Sequence, residues 1–235
     1  MPDLSGIPAD VARAAKILWL NYPNNPTGAT APVSVLEEAV EFARRYDLLI
    51  CHDNPYCDVT FGDYVAPSIL QVPGAMDVAV EFNSLSKTYN MAGWRVGMVV
   101  GNQTAVEALA RTKTNIDSGI FLPIQEAAAL ALTGDQSWLE ERNEIYRQRR
   151  DIILEAIRPL GIEAATPQAS LYIWAHVPEG YTSAEFAERL LEDAAISITP
   201  GSAFGAQGEG YVRISLGMDT DRIREAMERL VRVDL

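Results

Sequence analysis

The sequence predicts an α/β fold in which helices flank a mostly parallel sheet and a smaller α+β domain follows. Two observations support this prediction: short apolar segments alternate with helical ones, and the alternation changes after Pro159-Leu160-Gly161. With 235 residues, of which 48% are hydrophobic, the chain is long enough for two domains. We place the larger domain at residues 1–150 and the smaller one at residues 151–235.

Four apolar segments predict the strands of the larger domain, and their composition is typical of buried parallel strands. They are residues 17–21, 48–53, 77–83 and 95–101. Between the first two, Ser34 and Glu37 have the spacing of a capping box that opens a helix. Further helices are predicted at residues 103–114, 123–132 and 135–158.

The smaller domain combines three strands with two helices. The strands are predicted at residues 170–177, 196–199 and 211–217. Thr182 and Glu185 form a second capping-box pattern, which opens a helix between the first two strands. An amphipathic helix at residues 221–232 completes the chain.

The charge of the chain limits its partners. The formal net charge is -13, because 32 acidic residues outnumber 19 basic ones, so we expect binding neither to nucleic acid nor to an anionic membrane. No apolar run reaches the roughly 18 residues that a membrane span needs. Cys51 and Cys57 are too few for a disulfide framework, and they predict reduced thiols in a cytoplasmic protein.

Polar clusters follow three of the predicted strands, at Asn24–Gly28, Asp53–Tyr56 and Ser84–Lys87. In open α/β sheets, ligands bind beyond the carboxyl ends of the strands. Each cluster also has a purely structural interpretation. The first could be a plain turn. The second could be a cap for the following segment with a tyrosine that covers the core, and the third could carry an ordinary surface lysine. Arg95 could pair with any acidic residue, but Arg213 lies inside an apolar segment, where a guanidinium needs an anionic partner.

The segment SLSKTYNMAGWRVG (84–97) resembles the lysine signature of class I/II aminotransferases, the fold type I enzymes that use pyridoxal 5'-phosphate. NNPTG (24–28), DNPY (53–56) and YVRIS (211–215) resemble the other signatures of that family, in the same order. EFNSLSKTYNMAGWR, together with NIDSGIF, is most similar to LL-diaminopimelate aminotransferases. The resemblance implies amino-group transfer between an amino acid and a 2-oxo acid, with LL-diaminopimelate and 2-oxoglutarate as one candidate pair.

By this resemblance, Lys87 attaches the cofactor covalently through its aldehyde and later moves the substrate Cα proton. Asp53 holds the pyridine nitrogen in its protonated form, because a nearby carboxylate favours that charge. Tyr56 and Asn25 bind the phenolic oxygen of the ring. The Asn25–Pro26 bond is expected to be cis.

The resemblance also assigns groups to the two anions of the reaction. Ser84, Ser86 and Arg95 hold the cofactor phosphate, which suits the planar guanidinium of arginine. Arg213, with Asn25, binds the α-carboxylate of the substrate. His52 and His176 stand isolated in the sequence and predict no metal site. The TPGSAFG segment (199–205) either contributes to the substrate pocket or is a surface loop.

Members of this family have a long portion ahead of the NNPTG region, whereas this chain begins shortly before it. We therefore expect about four strands of the family's sheet with an exposed edge. An exposed edge favours self-association, as a homodimer. Cofactor affinity and turnover are expected to be reduced or lost.

Three interpretations of the activity stay open. The first is an aminotransferase, or a part of one. The second is a C–S β-lyase or decarboxylase of the same fold, which would use the same Lys87, Asp53 and Tyr56. The third is a non-catalytic remnant that acts by association. A dinucleotide-binding domain is not supported, since no glycine fingerprint follows the first strand.

Overall fold

A computed structural model describes residues 1–235, which divide into two compact units. Unit 1 comprises residues 1–23, 29–60 and 64–136, and unit 2 comprises residues 24–28, 61–63 and 137–235. The main change of unit falls between Gln136 and Ser137, and the domain division predicted after residue 150 stays a prediction. One helix, Trp138–Ile157, runs without a break through residue 150.

Unit 1 contains a four-stranded sheet with the order β1-β2-β3-β4, as many strands as predicted. The strands are β1 (Ile17–Asn21), β2 (Leu49–Asp53), β3 (Ala79–Ser84) and β4 (Gly97–Gly101). The first three are parallel, but β4 is antiparallel to β3, so the prediction of a parallel fourth strand is wrong. The segment between β3 and β4 holds only a one-turn helix and a 3-10 turn, which is too little for the crossover that a parallel pair needs.

Five α-helices accompany this sheet: α1 (Ala9–Ala14), α2 (Val33–Tyr46), α3 (Leu85–Thr88), α4 (Gln103–Ile116) and α5 (Leu122–Thr133). The capping box predicted at Ser34 is not formed, because α2 starts at Val33 with Pro32 as its N-cap, two residues earlier than a cap at Ser34 would place it. Proline has a fixed φ that suits a helix start but offers no side-chain acceptor. Ser34 thus lies inside the first turn of α2.

The core of unit 1 forms where α2 packs on the sheet, whereas α4 and α5 remain largely exposed. The helix contributes buried Leu36, Ala39, Val40 and Ala43, which pack with the strands. In contrast, α4 has no buried residue and α5 has one, Ala128. Large apolar side chains therefore remain exposed along this helix pair; they include Ile116, Phe121, Leu122 and Leu130.

Unit 2 contains a small antiparallel sheet and three helices. The elements are α6 (Trp138–Ile157), β5 (Tyr172–His176), α7 (Ser183–Ala194), β6 (Thr199–Pro200), β7 (Tyr211–Ser215) and α8 (Thr220–Leu230). The strand order is β5-β7-β6, and Ile153, Ile173, Phe186 and Val212 are among its buried core residues. The capping box of Thr182 and Glu185 is confirmed at the start of α7. Across both units, no helix combines the length and the apolar character that crossing a membrane requires.

Candidate active site

Asp53 lies at the carboxyl end of β2, and its neighbour on β1 holds it there. Asn21 is paired with Asp53 in the strand register, and its Nδ2 donates to the Asp53 carbonyl oxygen at 2.8 Å and to Oδ2 at 3.3 Å. Burial raises the pKa of the Asp53 carboxyl, and the charge of the adjacent His52 lowers it in part. Such a carboxylate gains from a cationic partner, because a positive charge nearby favours its ionised form.

Lys87 lies on α3, the single helical turn that directly follows β3. Its Nζ is 5.8 Å from the centroid of the Tyr56 ring, and Tyr56 is 3% exposed. The hydroxyl of Ser84 caps this turn by accepting from the Ser86 amide at 3.2 Å. The amine and the phenol, which are 31 residues apart in the sequence, are thereby brought together in unit 1.

Two hydrogen bonds tie the Lys87 segment to the loop that carries Tyr56. Thr88 Oγ1 donates to Asp58 Oδ2 at 3.1 Å, and Asn83 Nδ2 donates to Cys57 Sγ at 3.1 Å. Burial, and then the charge of Asp58, raise the pKa of the Cys57 thiol to about 12. The thiol therefore stays protonated and acts in this loop as a hydrogen-bonding group, not as a nucleophile.

The three residues predicted to bind the phosphate are placed differently from one another. Ser84 and Ser86 are partly buried at the start of α3. Arg95 is exposed, has φ 54°, and donates from Nη1 to the Ala92 carbonyl at 2.9 Å. No hydrogen bond joins its guanidinium to either serine. The glycine that ends the motif, Gly97, has a steric reason, since a Cβ there would lie 2.8 Å from the Asn83 carbonyl oxygen.

In unit 2, Arg213 on β7 is held by neutral groups only. Nη1 donates to Asn25 Oδ1 at 2.8 Å, and Nη2 lies 3.4 Å from Thr199 Oγ1. The guanidinium carbon is 4.3 Å from the Tyr172 ring centroid and 4.7 Å from that of Phe204, which belongs to the TPGSAFG segment. No carboxylate lies within salt-bridge distance, and Nε is buried without a hydrogen-bond partner. An unpaired buried donor on a cation fits an anionic ligand.

The NNPTG segment forms a tight turn that presents Asn25. The Asn25–Pro26 bond is cis, as the resemblance implied. Asn24 Oδ1 accepts from the Thr27 amide at 3.1 Å and from its hydroxyl at 2.7 Å. Gly28 has φ 68°, and a Cβ there would lie 3.1 Å from the Tyr172 carbonyl oxygen, so glycine is required.

Sequence reasoning missed three contributors: Asn21, Tyr172 and the environment of His52. Asn21 is the last residue of an apolar segment, and its importance depends on a strand register that the sequence does not state. Tyr172 lies next to Arg213 because β5 and β7 pair, with Trp174 opposite Arg213. The only signal in the sequence was a polar or aromatic residue at the end of an apolar strand segment.

The strand order, the lysine at the end of β3 and the unpaired arginine define a protein of the class I and II aminotransferase family. The chain belongs to that family: it matches "Aminotransferase class I and II" over residues 2–230. Members of the family use pyridoxal 5'-phosphate, and the chain has part of their fold type I architecture.

Among relatives, the chain is 54% identical to LL-diaminopimelate aminotransferase of Moorella thermoacetica over 99% of this chain and 60% of that protein. The solved structure of substrate-bound BacF from Bacillus subtilis is 36% identical, with a TM-score of 0.96 over 100% of this chain and 60% of that one. An aminotransferase from Staphylococcus aureus is 38% identical, with a TM-score of 0.93 over 98% and 61%. The chain thus spans about 60% of the length of the curated relatives it matches.

Proposed function

We propose that this chain carries the cofactor-anchoring and carboxylate-binding parts of an amino acid:2-oxo acid aminotransferase. LL-diaminopimelate and 2-oxoglutarate are the proposed substrate pair, because the relatives at about 50% identity are named for the former. The observation that carries the proposal is the placement of the Lys87 amine beside the Tyr56 phenol, in the unit that also holds the Asp53 carboxyl.

The residues of unit 1 fit the chemistry of the cofactor. An amine suits its aldehyde, a carboxyl with a burial-raised pKa suits its pyridine nitrogen, and a phenol suits its phenolic oxygen. We assign these contacts to Lys87, Asp53 and Tyr56, all of which lie in unit 1. Ser84, Ser86 and Arg95 are assigned to the phosphate. When bound, pyridoxal 5'-phosphate supplies an electron sink for the bond that breaks at the substrate Cα.

The chain's own groups would then act on the substrate in two ways. Lys87 Nζ takes the proton from Cα and returns it, as a general base and acid. Arg213, in unit 2, binds the α-carboxylate with its guanidinium and its unpaired Nε. Holding the carboxylate in this way favours transamination over decarboxylation, since a decarboxylase must release that group.

Reductive trapping tests the anchor. The chain has three lysines, and the other two, Lys16 and Lys113, are exposed. Borohydride reduction in the presence of pyridoxal 5'-phosphate, followed by peptide mapping, should label Lys87. The variants K16R and K113R should label as the parent does, and K87R should not. Labelling spread equally over the three lysines would exclude the proposed site.

A keto-acid test separates the proposal from the β-lyase and decarboxylase alternatives. A transaminase needs both an amino acid and a 2-oxo acid for continued turnover. We expect the absorbance of the unreduced protein, loaded with pyridoxal 5'-phosphate, to change on addition of LL-diaminopimelate and to be restored by 2-oxoglutarate. Release of carbon dioxide or of a thiol, without a need for 2-oxo acid, would instead identify one of the alternatives.

We further propose that the protein is a homodimer in the cytoplasm. The exposed apolar side chains of α4 and α5, together with Trp19 at 62% exposure on the edge strand β1, support self-association. The free thiols of Cys51 and Cys57 agree with a reducing compartment. Light scattering over a range of concentrations should give a mass above that of the monomer, and a constant monomer mass would contradict the dimer.

A further inference from the structure

An ionisable pair lies inside unit 1, one residue away from Asp53. His52 on β2 is 0% exposed, and Glu81 on β3 is 7% exposed. The two residues are partners in the strand register, and His52 Nδ1 lies 3.2 Å from Glu81 Oε2. Removing two charges from water is costly even when they are paired. Neither residue has a role in the proposed reaction.

The hydrogen-bond partners of this pair indicate its protonation state. His52 Nε2 lies 3.2 Å from the Tyr22 carbonyl oxygen, which can only accept. Glu81 Oε2 accepts from the Ser68 hydroxyl at 2.7 Å and from the Ile69 amide at 3.0 Å. An oxygen that already accepts two hydrogen bonds suits a carboxylate, so His52 Nδ1 donates to it as well. Both ring nitrogens are therefore donors, and the ring carries a positive charge.

The same contacts favour an ionised Glu81. Burial acts to raise the pKa of Glu81, but hydrogen bonds from His52 and Ser68 outweigh burial and leave that pKa below its usual value. The Ser68 hydroxyl also accepts from the Leu70 amide, so its proton is free to point at Glu81. The pair is thus an imidazolium and a carboxylate, in which both ring nitrogens of His52 and Oε2 of Glu81 are hydrogen-bonded.

This pair also fixes the backbone around Asp53. Through Nε2, the ring of His52 holds the chain just after β1, where Tyr22 follows Asn21. Through Glu81, it holds the Ser68–Ile69 segment, at the start of a 3-10 helix in unit 1. Asn21 in turn donates to the Asp53 carboxyl and carbonyl. Three segments of the chain therefore meet at the end of β2.

The ionisable groups around His52 come from two strands and one loop. They are Asp53 on β2, Glu81 on β3 and Cys57, whose thiol interacts with the charge of Glu81. Burial raises the pKa of Asp53, and the positive charge of His52 acts in the opposite direction. Because successive strand residues point to opposite faces, His52 acts on Asp53 across the sheet and not by contact.

We propose that His52 is a positioning residue of the active site: its charged ring, neutralised by Glu81, fixes the end of β2 and favours the anionic form of Asp53. The purpose of this role rests on the proposed function, in which Asp53 serves as an anion beside a protonated ring nitrogen. The charge state and the contacts belong to the chain itself and are testable without cofactor.

The first test is the protonation of the His52 ring in the cofactor-free protein. The chain has two histidines, and the other, His176, is exposed in unit 2. Nitrogen-15 NMR should show one ring with protons on both nitrogens at neutral pH, and this signal should remain in H176Q. A His52 ring with one bare nitrogen would overturn the proposal. In E81Q the same ring should lose one proton, and a ring that keeps both would overturn the role of Glu81.

The second test measures Asp53 directly. Carbon-13 NMR of the side-chain carboxyls should show that Asp53 titrates at a higher pH in H52Q than in the parent protein, because the opposing charge is gone and burial remains. H176Q is the matched control and should leave the Asp53 titration unchanged. An unchanged Asp53 in folded H52Q would show that the pair serves packing alone.

These readouts are independent of the proposed function. If Lys87 fails to take the borohydride label while His52 carries both protons, the proposed function is wrong and the assigned charge state stands. If Lys87 is labelled but His52 is neutral, the inference is wrong and the proposed function stands. The ring measurement needs no variant of unit 1, so it is decisive even where H52Q does not fold.

Discussion

The two units handle buried charge in opposite ways. In unit 1, the ionisable groups near the end of β2 satisfy one another: Glu81 accepts from His52, Ser68 and Ile69, and Asn21 donates to Asp53. In unit 2, the guanidinium of Arg213 has an amide, a hydroxyl and two aromatic rings around it but no carboxylate, and its Nε has no partner.

The groups of unit 1 are therefore suited to a structural role, and the guanidinium of Arg213 in unit 2 is suited to binding an anionic ligand. A satisfied network is rigid and costly to break, because removing one member leaves the other charge buried. A cation with an unused donor instead gains most when an anion arrives. Variants in unit 1 should therefore lower stability or chemistry, and variants at Arg213 should lower substrate affinity while stability changes little.

The largest expected effect is at Lys87. K87A removes the group that moves the substrate Cα proton, so Cα–H exchange in deuterated water should fall by about 10²–10⁴-fold, the usual contribution of a positioned acid or base. K113A, at an exposed lysine, should exchange at the parent rate. Exchange in K87A that equals the K113A rate would remove Lys87 from the reaction.

The next largest effect tests the satisfied network of unit 1. H52L leaves Glu81 buried without its partner, so the free energy of unfolding should fall by about 3–5 kcal/mol. Urea denaturation measures this, with R213M in unit 2 as the contrast. Because Arg213 has no carboxylate to leave behind, R213M should change stability by about 1 kcal/mol or less. Equal losses of unfolding free energy in H52L and R213M would show that the two units do not differ in how they satisfy buried charge.

Acidification gives a third effect, with opposite signs at two carboxyls of unit 1. The pKa of Glu81 is lowered from 4.5, so its ionised form stabilises the fold above that pH and the gain is lost as the pH falls through the folded-state value. The pKa of Asp53 is raised from 3.8, so its ionisation costs stability, and acidification relieves this cost. Urea midpoints from neutral to acidic pH should therefore fall less steeply in E81Q and more steeply in D53N than in the parent.

The sequence predicted the parts of the site that lie in contiguous motifs. Asp53 is the last residue of β2, and Tyr56 and Lys87 each lie three residues beyond the end of a strand. Strand recognition and family resemblance were enough to single these residues out, and their roles stay proposals. The His52–Glu81 pair joins residues 29 positions apart and depends on the register of two parallel strands. Neither apolar segment states that register, so each residue looked isolated in the sequence.

Errors in the fold prediction have similarly local causes. The apolar character of β4 is the same for either strand direction, and only the short α3 connection decides that it runs antiparallel. Ser34 and Glu37 have the spacing of a capping box, but α2 begins at Val33 with Pro32 as its N-cap, so Ser34 is already inside the helix. In α7 no proline intervenes, and the same pattern at Thr182 and Glu185 forms the box.

A fourth prediction concerns Arg213 of unit 2, whose guanidinium has no carboxylate partner. R213Q removes the charge that would bind the α-carboxylate, and hydrogen bonds to charged groups contribute about 1.5–3 kcal/mol. The dissociation constant of a dicarboxylate analogue should therefore rise by roughly 10- to 150-fold, measured by calorimetry on the cofactor-loaded protein. R149Q is a matched control, because Arg149 of the same unit is already bonded to Thr220 and to the Leu216 carbonyl. A similar loss of affinity in both variants would indicate general damage to unit 2.

The smallest expected effect tests which neighbouring groups hold the Arg213 guanidinium in place. Phe204 covers the guanidinium at 4.7 Å but is 39% exposed, so its cation–π contribution belongs to the weak range of about 0.5–1 kcal/mol. F204A should weaken binding of the same analogue by roughly two- to fivefold, while F204Y, which keeps a ring over the cation, should bind as the parent does. A loss in F204A as large as that in R213Q would mean that the ring, and not the Asn25 amide, sets the position of the arginine. Equal affinity in F204A and the parent would assign that task to Asn25 and Tyr172 alone.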